Sequence, residues 1–169
     1  MKRLILTALF VFFAMSCICF AADLTDIEQH HSCTLCGMDR EKFAQSRILI
    51  EYDDGTSLGA CSLHCAAVDL ANNIDKTPKF IGVGDYYSKK LVDAEKAFWV
   101  VGGGKPGVMT ANPKWAFESK QDAEKFLKEN GGALANFDEA ISAAYTDMYR
   151  DTKQIRERRK MKRSHLPKG

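Results

Sequence analysis

Four cysteines in two close pairs are the residues of this chain best placed to do chemistry. They are Cys33-Thr-Leu-Cys36 and, after 24 intervening residues, Cys61-Ser-Leu-His-Cys65. A C-x-x-C knuckle aims two sulfurs at one point, and Gly37 permits the tight turn this needs. Cys61 and Cys65 fall at the predicted start of a helix. Residues i and i+4 share a helix face, and a helix N-terminus stabilises thiolates. Met38 adds a thioether two residues after the first pair, and Met109 adds another in a loop rather than on an apolar helix face. Each of these methionines reads either as a soft ligand or as packing. His64, between the second pair, reads as a ligand or as an exposed helix residue. Three chemistries stay open on these residues. Four thiolates could close a tetrahedral zinc site. Two or three sulfurs with a thioether would suit Cu(I). The C-x-x-C could also be a thiol–disulfide redox pair, although no thioredoxin-like β-α-β context surrounds it.

Other patterns do not lead to chemistry. Gly102-Gly-Gly104-Lys-Pro-Gly107 matches the glycine spacing of a dinucleotide loop, but Pro106 and Pro113 interrupt the helix such a loop must open. No H-E-x-x-H sequence is present, and with four histidines in all a His-driven acid–base site is hard to assemble. Asp53-Asp54 is turn chemistry.

The elements that must position the cysteines are legible as an α+β domain. Arg47–Tyr52 is a strand, Asp54-Gly55 a hairpin turn, and Thr56–Ala60 the returning strand. Ser62 can cap a helix carrying Leu63, Ala66, Ala67, Leu70 and Ala71 on one face, ended by Asn72-Asn73, and Pro78–Val83 is a third strand. The second half repeats the rhythm. Lys96–Val101 is a strand, Gly102–Thr110 a glycine-rich loop, and Trp115–Phe117 a short strand. Ser119 caps a helix over Lys120–Asn130 that Gly131-Gly132 stops, and Leu134–Phe137 is a further strand. A long helix from Asp138, with Ile141, Ala144, Tyr145 and Met148 on one face, follows. The expected architecture is two ββαβ halves, about 33–85 and 95–138, within a domain over 33–149, then a basic helical tail over 150–169.

Apolar residues are 46% and charged residues 27% of the 169, an ordinary globular balance. The net charge of +2 hides an asymmetry. Residues 150–169 hold nine Lys/Arg against two Asp/Glu, while residues 23–149 hold 13 basic against 20 acidic. An acidic body should not attract nucleic acid. The tail reads as a solvated helix end or as a contact for anionic lipid headgroups or an acidic partner. Lys2 and Arg3 before the apolar run Leu4–Phe13 are the start of an export signal over 1–21, too short for a permanent span. Cleavage after Ala21 gives a soluble exported chain, while Ala14-Met-Ser-Cys17 is an imperfect lipobox that would make Cys17 a lipid anchor. Either places the body outside the cytoplasm. Residues 22–32, polar with His30-His31 near the end, read as a flexible arm.

Cys33-x-x-Cys36-Gly37-Met38, a hairpin with Asp54-Gly55, and Cys61-Ser62-x-x-Cys65 resemble metal-binding modules of the YHS/TRASH type. With Gly107-Val-Met109, Trp115-Ala-Phe117 and Asp122-Ala-Glu-Lys-Phe126 running on to Gly131-Gly132, the pattern resembles the NosL family over about residues 30–140. That resemblance implies a duplicated ββαβ fold and a non-enzymatic, periplasmic or membrane-anchored Cu(I) chaperone. It also implies a client, an apo-cuproenzyme such as nitrous oxide reductase or its copper-site assembly machinery, in denitrification. The copper residues it implies are Cys36, Met38 and Met109, with Cys33 nearby. The Cys61/Cys65 pair is more typical of the YHS side, which leaves zinc as the alternative metal and another cuproprotein, sensing or sequestration as alternative roles.

Overall fold

The structure is a computed structural model that describes residues 24–164. The expected export signal and Cys17 lie outside the described residues, as does the end of the tail. In chain order the elements are α1 (Thr25–Gln29), β1 (Ile48–Tyr52), β2 (Ser57–Ala60), α2 (Leu63–Asn72), β3 (Pro78–Gly84), β4 (Leu91–Asp93), β5 (Phe98–Val101), β6 (Lys114–Phe117), α3 (Lys120–Asn130), β7 (Ala133–Ala135) and α4 (Phe137–Ser164). None of the described helices is long and apolar enough to cross a membrane.

The fold is α+β, built on one topology used twice. The first sheet has the order β2-β1-β3-β4 and the second β6-β5-β7, with every strand pairing antiparallel. In each unit the first strand is central, the second pairs on one side, and a helix leads to the third strand on the other. β4 is an addition to the first sheet that lacks a counterpart in the second.

Local chemistry explains the elements. The β1–β2 hairpin turns at Gly55, whose φ of +81° favours glycine, and the Asp54 carboxylate accepts from the Thr56 amide at 2.9 Å and its hydroxyl at 2.6 Å. Ile48 and Ile50 are fully buried and Tyr52 nearly so. Ser62 stands at the N-cap of α2, but its hydroxyl makes no capping bond there. Ser119 does cap α3, accepting from the Asp122 amide at 3.1 Å. Asn136 and Glu139 form a reciprocal capping box at the start of α4 (2.8 and 2.9 Å), a signal the sequence reading passed over. The loop after β5 packs on the end of α3 through the Gly104 amide and Asn130 carbonyl (2.8 Å), and the next regular element is β6 rather than a helix.

The two sheets join where β3 runs out. Tyr86 donates its amide to the Ala116 carbonyl at 2.8 Å, and Asp85 accepts from the Glu118 amide at 2.9 Å. The Tyr86 ring packs edge-on to Trp115 and Phe126, with centroids 5.1 and 4.7 Å away.

The polar segment before Cys33 is not an arm within residues 24–32. It docks through α1, whose Asp26 lies buried between two fully buried arginines. Arg40 reaches the Asp26 carboxylate at 2.7 Å and Arg47 reaches it at 2.9 Å. Arg40 also donates to the carbonyls of Asp26, His30, Ile48 and Ala60 (2.7–3.2 Å), sewing the N-terminal segment to β1 and β2. Polar composition concealed this because a carboxylate's need for two remote guanidiniums has no local sequence signature. β2 approaches so closely that a Cβ on Gly59 would lie 2.4 Å from His30 Cβ and 2.8 Å from the Arg40 guanidinium.

The buried stripe of α4 is also displaced from expectation. It runs Phe137, Ala140, Ala144, Asp147, Asp151, while Tyr145 is exposed. The stripe turns from apolar to acidic because the two aspartates meet polar partners, described below.

Asp26→Asn should remove the charge that two buried guanidiniums share. Breaking one partner out of such a network costs about 3–5 kcal/mol. Denaturant unfolding of the variant should show a loss of that order with an unchanged m-value; a loss under about 1 kcal/mol would mean that the network is not what holds the segment.

Candidate metal centre

The C-x-x-C loop is built by backbone bonds. The Cys33 amide donates to the Met38 carbonyl and the Gly37 amide to the Cys33 carbonyl, both at 2.8 Å, with Gly37 at φ +76°. The Thr34 amide donates to the Gly59 carbonyl at 3.1 Å, which sets the knuckle against β2. Cys61 follows β2 directly, and Cys65 is in the first turn of α2. Cys61 stands just before the N-cap Ser62, and its sulfur lies 3.8 Å from that of Cys65.

The result is one cluster. The four Sγ atoms all lie within 4.8 Å of one another. Cys36 and Cys61 approach to 3.4 Å, and Cys61 and Cys65 to 3.8 Å. All four are free thiols, with Cys33, Cys61 and Cys65 buried and Cys36 partly exposed. Among the described residues this is the single group of three or more Cys, His, Asp or Glu side chains that could hold a metal ion. Crowding splits their acidities. Hydrogen bonds from Cys36, Cys61 and Cys65 push the Cys33 thiol down. Cys36, raised by its bond with Cys33 but lowered more by Cys61 and Cys65, settles at about 7. Hydrogen bonding to Cys33 and Cys36 pushes Cys61 and Cys65 up, with burial adding to it. Protons alone therefore leave the cluster with ionised and neutral sulfurs side by side. A bound cation would favour the thiolate at each.

His64 faces elsewhere. One residue before Cys65, it is turned about 100° around the helix. It is buried rather than exposed, with Nδ1 at 3.8 Å from the Asp151 carboxylate. Burial holds its imidazole below the usual range, against the pull of Asp151. Neither ring nitrogen belongs to the sulfur cluster.

Met38 and Met109 come together, although 71 positions separate them. Both line a cavity of about 470 Å³, together with Phe43 and with Ile155, Arg158, Arg159 and Lys162 of α4. Arg159 reaches the Cys36 carbonyl at 3.4 Å, so the cavity adjoins the half-exposed corner of the thiol cluster. Met109 has a left-handed backbone, φ +59°. Its loop is clamped by α4. The Ala111 amide donates to Asp151 at 3.1 Å, and the Asn112 side chain and Lys114 both donate to Asp147 at 2.7 and 2.6 Å. Arg150 also bonds Asp147. These two aspartates escaped the sequence reading. An acidic residue on the inward stripe of a helix is the signal that could have found them.

The family model named NosL matches residues 24–146. The crystal structure of the copper chaperone NosL from Shewanella denitrificans superposes with a TM-score of 0.58 at 26% identity, covering 69% of this chain and 94% of that one. No curated protein matches significantly.

The clamp on the Met109 loop makes a pH prediction. Lys114 and Asn112 hold the Asp147 carboxyl below the usual carboxylate range, outweighing its burial. A lowered folded pKa gives stability that is complete above the unfolded value, about 4, and is lost as pH falls through the folded one. Asp147→Asn, which strands the buried Lys114, should cost about 3–5 kcal/mol at pH 7. It should also flatten the fall in stability below about pH 4. An acid limb as steep as that of the wild type would show that Asp147 is not its source.

Proposed function

The chain belongs to the NosL family, and on that premise we propose that it is an exported, non-enzymatic carrier of Cu(I). Its client would be a cuproenzyme outside the cytoplasm, such as nitrous oxide reductase or its assembly machinery. The observation that supports this reading best is that Met38 and Met109 line one open cavity, whose Arg159 reaches the Cys36 carbonyl.

A carrier must bind its cargo selectively and still release it. Thiolate and thioether sulfur select Cu(I) over harder ions. A neutral thioether binds more weakly than a thiolate, so a site that mixes them holds the ion without trapping it. The cavity leaves room for an incoming donor to bond before an outgoing one leaves. Cys36 supplies the thiolate at the partly exposed edge, with an acidity that leaves it substantially ionised near neutral pH. Met38 and Met109 supply thioethers from opposite halves of the chain, so copper would bridge the two ββαβ units. Arg158, Arg159 and Lys162 make the rim cationic. That charge suits an acidic docking face on the client and would steer encounter in a salt-dependent way.

Met109→Ala should weaken Cu(I) binding at least tenfold in anaerobic competition with a chromogenic Cu(I) chelator. The thiol cluster is untouched by that change, so the fold should persist. Unchanged affinity would remove Met109 from the site, and failure of the wild-type chain to compete at all would overturn the carrier reading.

A further inference from the structure

The end of α4 carries more positive charge than lining a cavity requires. Residues 150–164 hold eight Lys or Arg against two carboxylates, Asp151 and Glu157, and Asp151 is buried. The helix runs on to Ser164, beyond the family match that ends at residue 146.

Helical rotation sorts these cations onto two faces. At about 100° per residue, Ile155, Arg158, Arg159 and Lys162 gather on one side, and these are the residues of α4 that line the cavity. Lys153, Arg156, Lys160 and Arg163 gather on another, centred about 130° away around the axis. Spaced by three, four and three residues, they make a straight stripe, roughly 15 Å long at the helical rise. All four are exposed, and none forms an ion pair among the described residues. Tyr149, four residues before Lys153, heads the same line and is 82% exposed.

This face lacks what a specific protein interface is built around, a central apolar cluster that a partner can desolvate. Its one aromatic ring stands at an end, and the rest of the line holds only cations. A row of cations with an amphipathic ring at its edge matches instead the headgroup zone of a bilayer. There phosphates take the charge, and a tyrosine sits between the wet and the apolar layers. The body over residues 23–149 is acidic, with 20 carboxylates to 13 basic residues. An anionic surface therefore attracts the end of α4 and repels the rest, which orients the encounter.

We infer that Tyr149, Lys153, Arg156, Lys160 and Arg163 form a docking surface for an anionic phospholipid bilayer, with the end of α4 lying along it. The cavity opens on a different face of the helix, so it stays accessible while the protein is on the membrane. This inference stands on charge and helical phase and does not depend on what the cavity carries.

The test is co-sedimentation of the full chain with phosphatidylcholine vesicles, with and without one third phosphatidylglycerol. Every variant keeps the same N-terminus, so any anchor there contributes equally. A cation near an anionic surface is worth roughly fivefold in binding, so wild type should prefer the charged vesicles by on the order of a hundredfold or more. Salt at about 1 M, where the screening length is about 3 Å, should abolish the preference. Lys153→Gln/Arg156→Gln/Lys160→Gln/Arg163→Gln should abolish it too, with the circular dichroism of the fold unchanged, and Lys153→Gln/Lys160→Gln should fall between. The cavity-face variant Arg158→Gln/Arg159→Gln/Lys162→Gln removes nearly as much charge and should retain most of the preference. Equal losses in the two multiple variants would show that net charge rather than the stripe sets binding, and the inference fails. It fails as well if wild type binds both kinds of vesicle alike, or if the quadruple variant still prefers the charged ones. Capture of polyglutamate by a wild-type chain that ignores charged vesicles would assign the face to an acidic protein and overturn the lipid reading.

Discussion

Four thiolates cannot share a space less than 5 Å across on their own. At such separations each negative charge raises the cost of the next, and burial removes the water that would screen them. The divided acidities of the four cysteines express that conflict. Two things resolve it: a cation at the centre, and a framework stiff enough to hold the sulfurs together before the cation arrives. The framework is the buried arrangement of Asp26 between Arg40 and Arg47, which binds the segment leading into Cys33 to the strands leading into Cys61. It acts together with the Thr34–Gly59 bond, which sets the knuckle against β2.

The duplication is used asymmetrically. Both halves have a central strand flanked by its hairpin partner and by the strand after the helix. The first half supplies every thiol of the cluster, the second supplies Met109, and α4 spans both. Its apolar turns pack on the core, its two buried aspartates grip the Met109 loop, and its basic turns wall the cavity. A helix that switches from apolar to acidic to basic along one side is thus performing three tasks in sequence.

Much of this was readable from local pattern. The Asp54-Gly55 hairpin, the Ser119 cap and the Gly131 stop each depend on residues near one another in the chain, and each stands in the structure where its chemistry puts it, whereas Cys61 lies before the helix that carries Cys65 rather than on its face. Convergence of the C-x-x-C with Cys61 and Cys65 was legible too, because paired thiols at such spacings have few other uses. What escaped depends on partners far apart. The docking of α1 needs Arg40 and Arg47, and β4 is three residues long with no turn signature. His64 was expected to be a ligand or exposed, but the helix rotates it toward Asp151. The acidic stripe of α4 makes sense only once Asn112 and Lys114 lie beneath it.

Gly59 illustrates how far a metal centre extends beyond its donors. Only a hydrogen atom fits where β2 slides beneath His30 and the Arg40 guanidinium. A single methyl there would lift the strand, and Cys61, two residues downstream, would travel with it. An inventory of ligands would omit this position, because it offers nothing to a metal. Yet it sets the clearance on which the spacing of the sulfurs depends, so affinity can be lost through crowding at a residue that has no side chain at all.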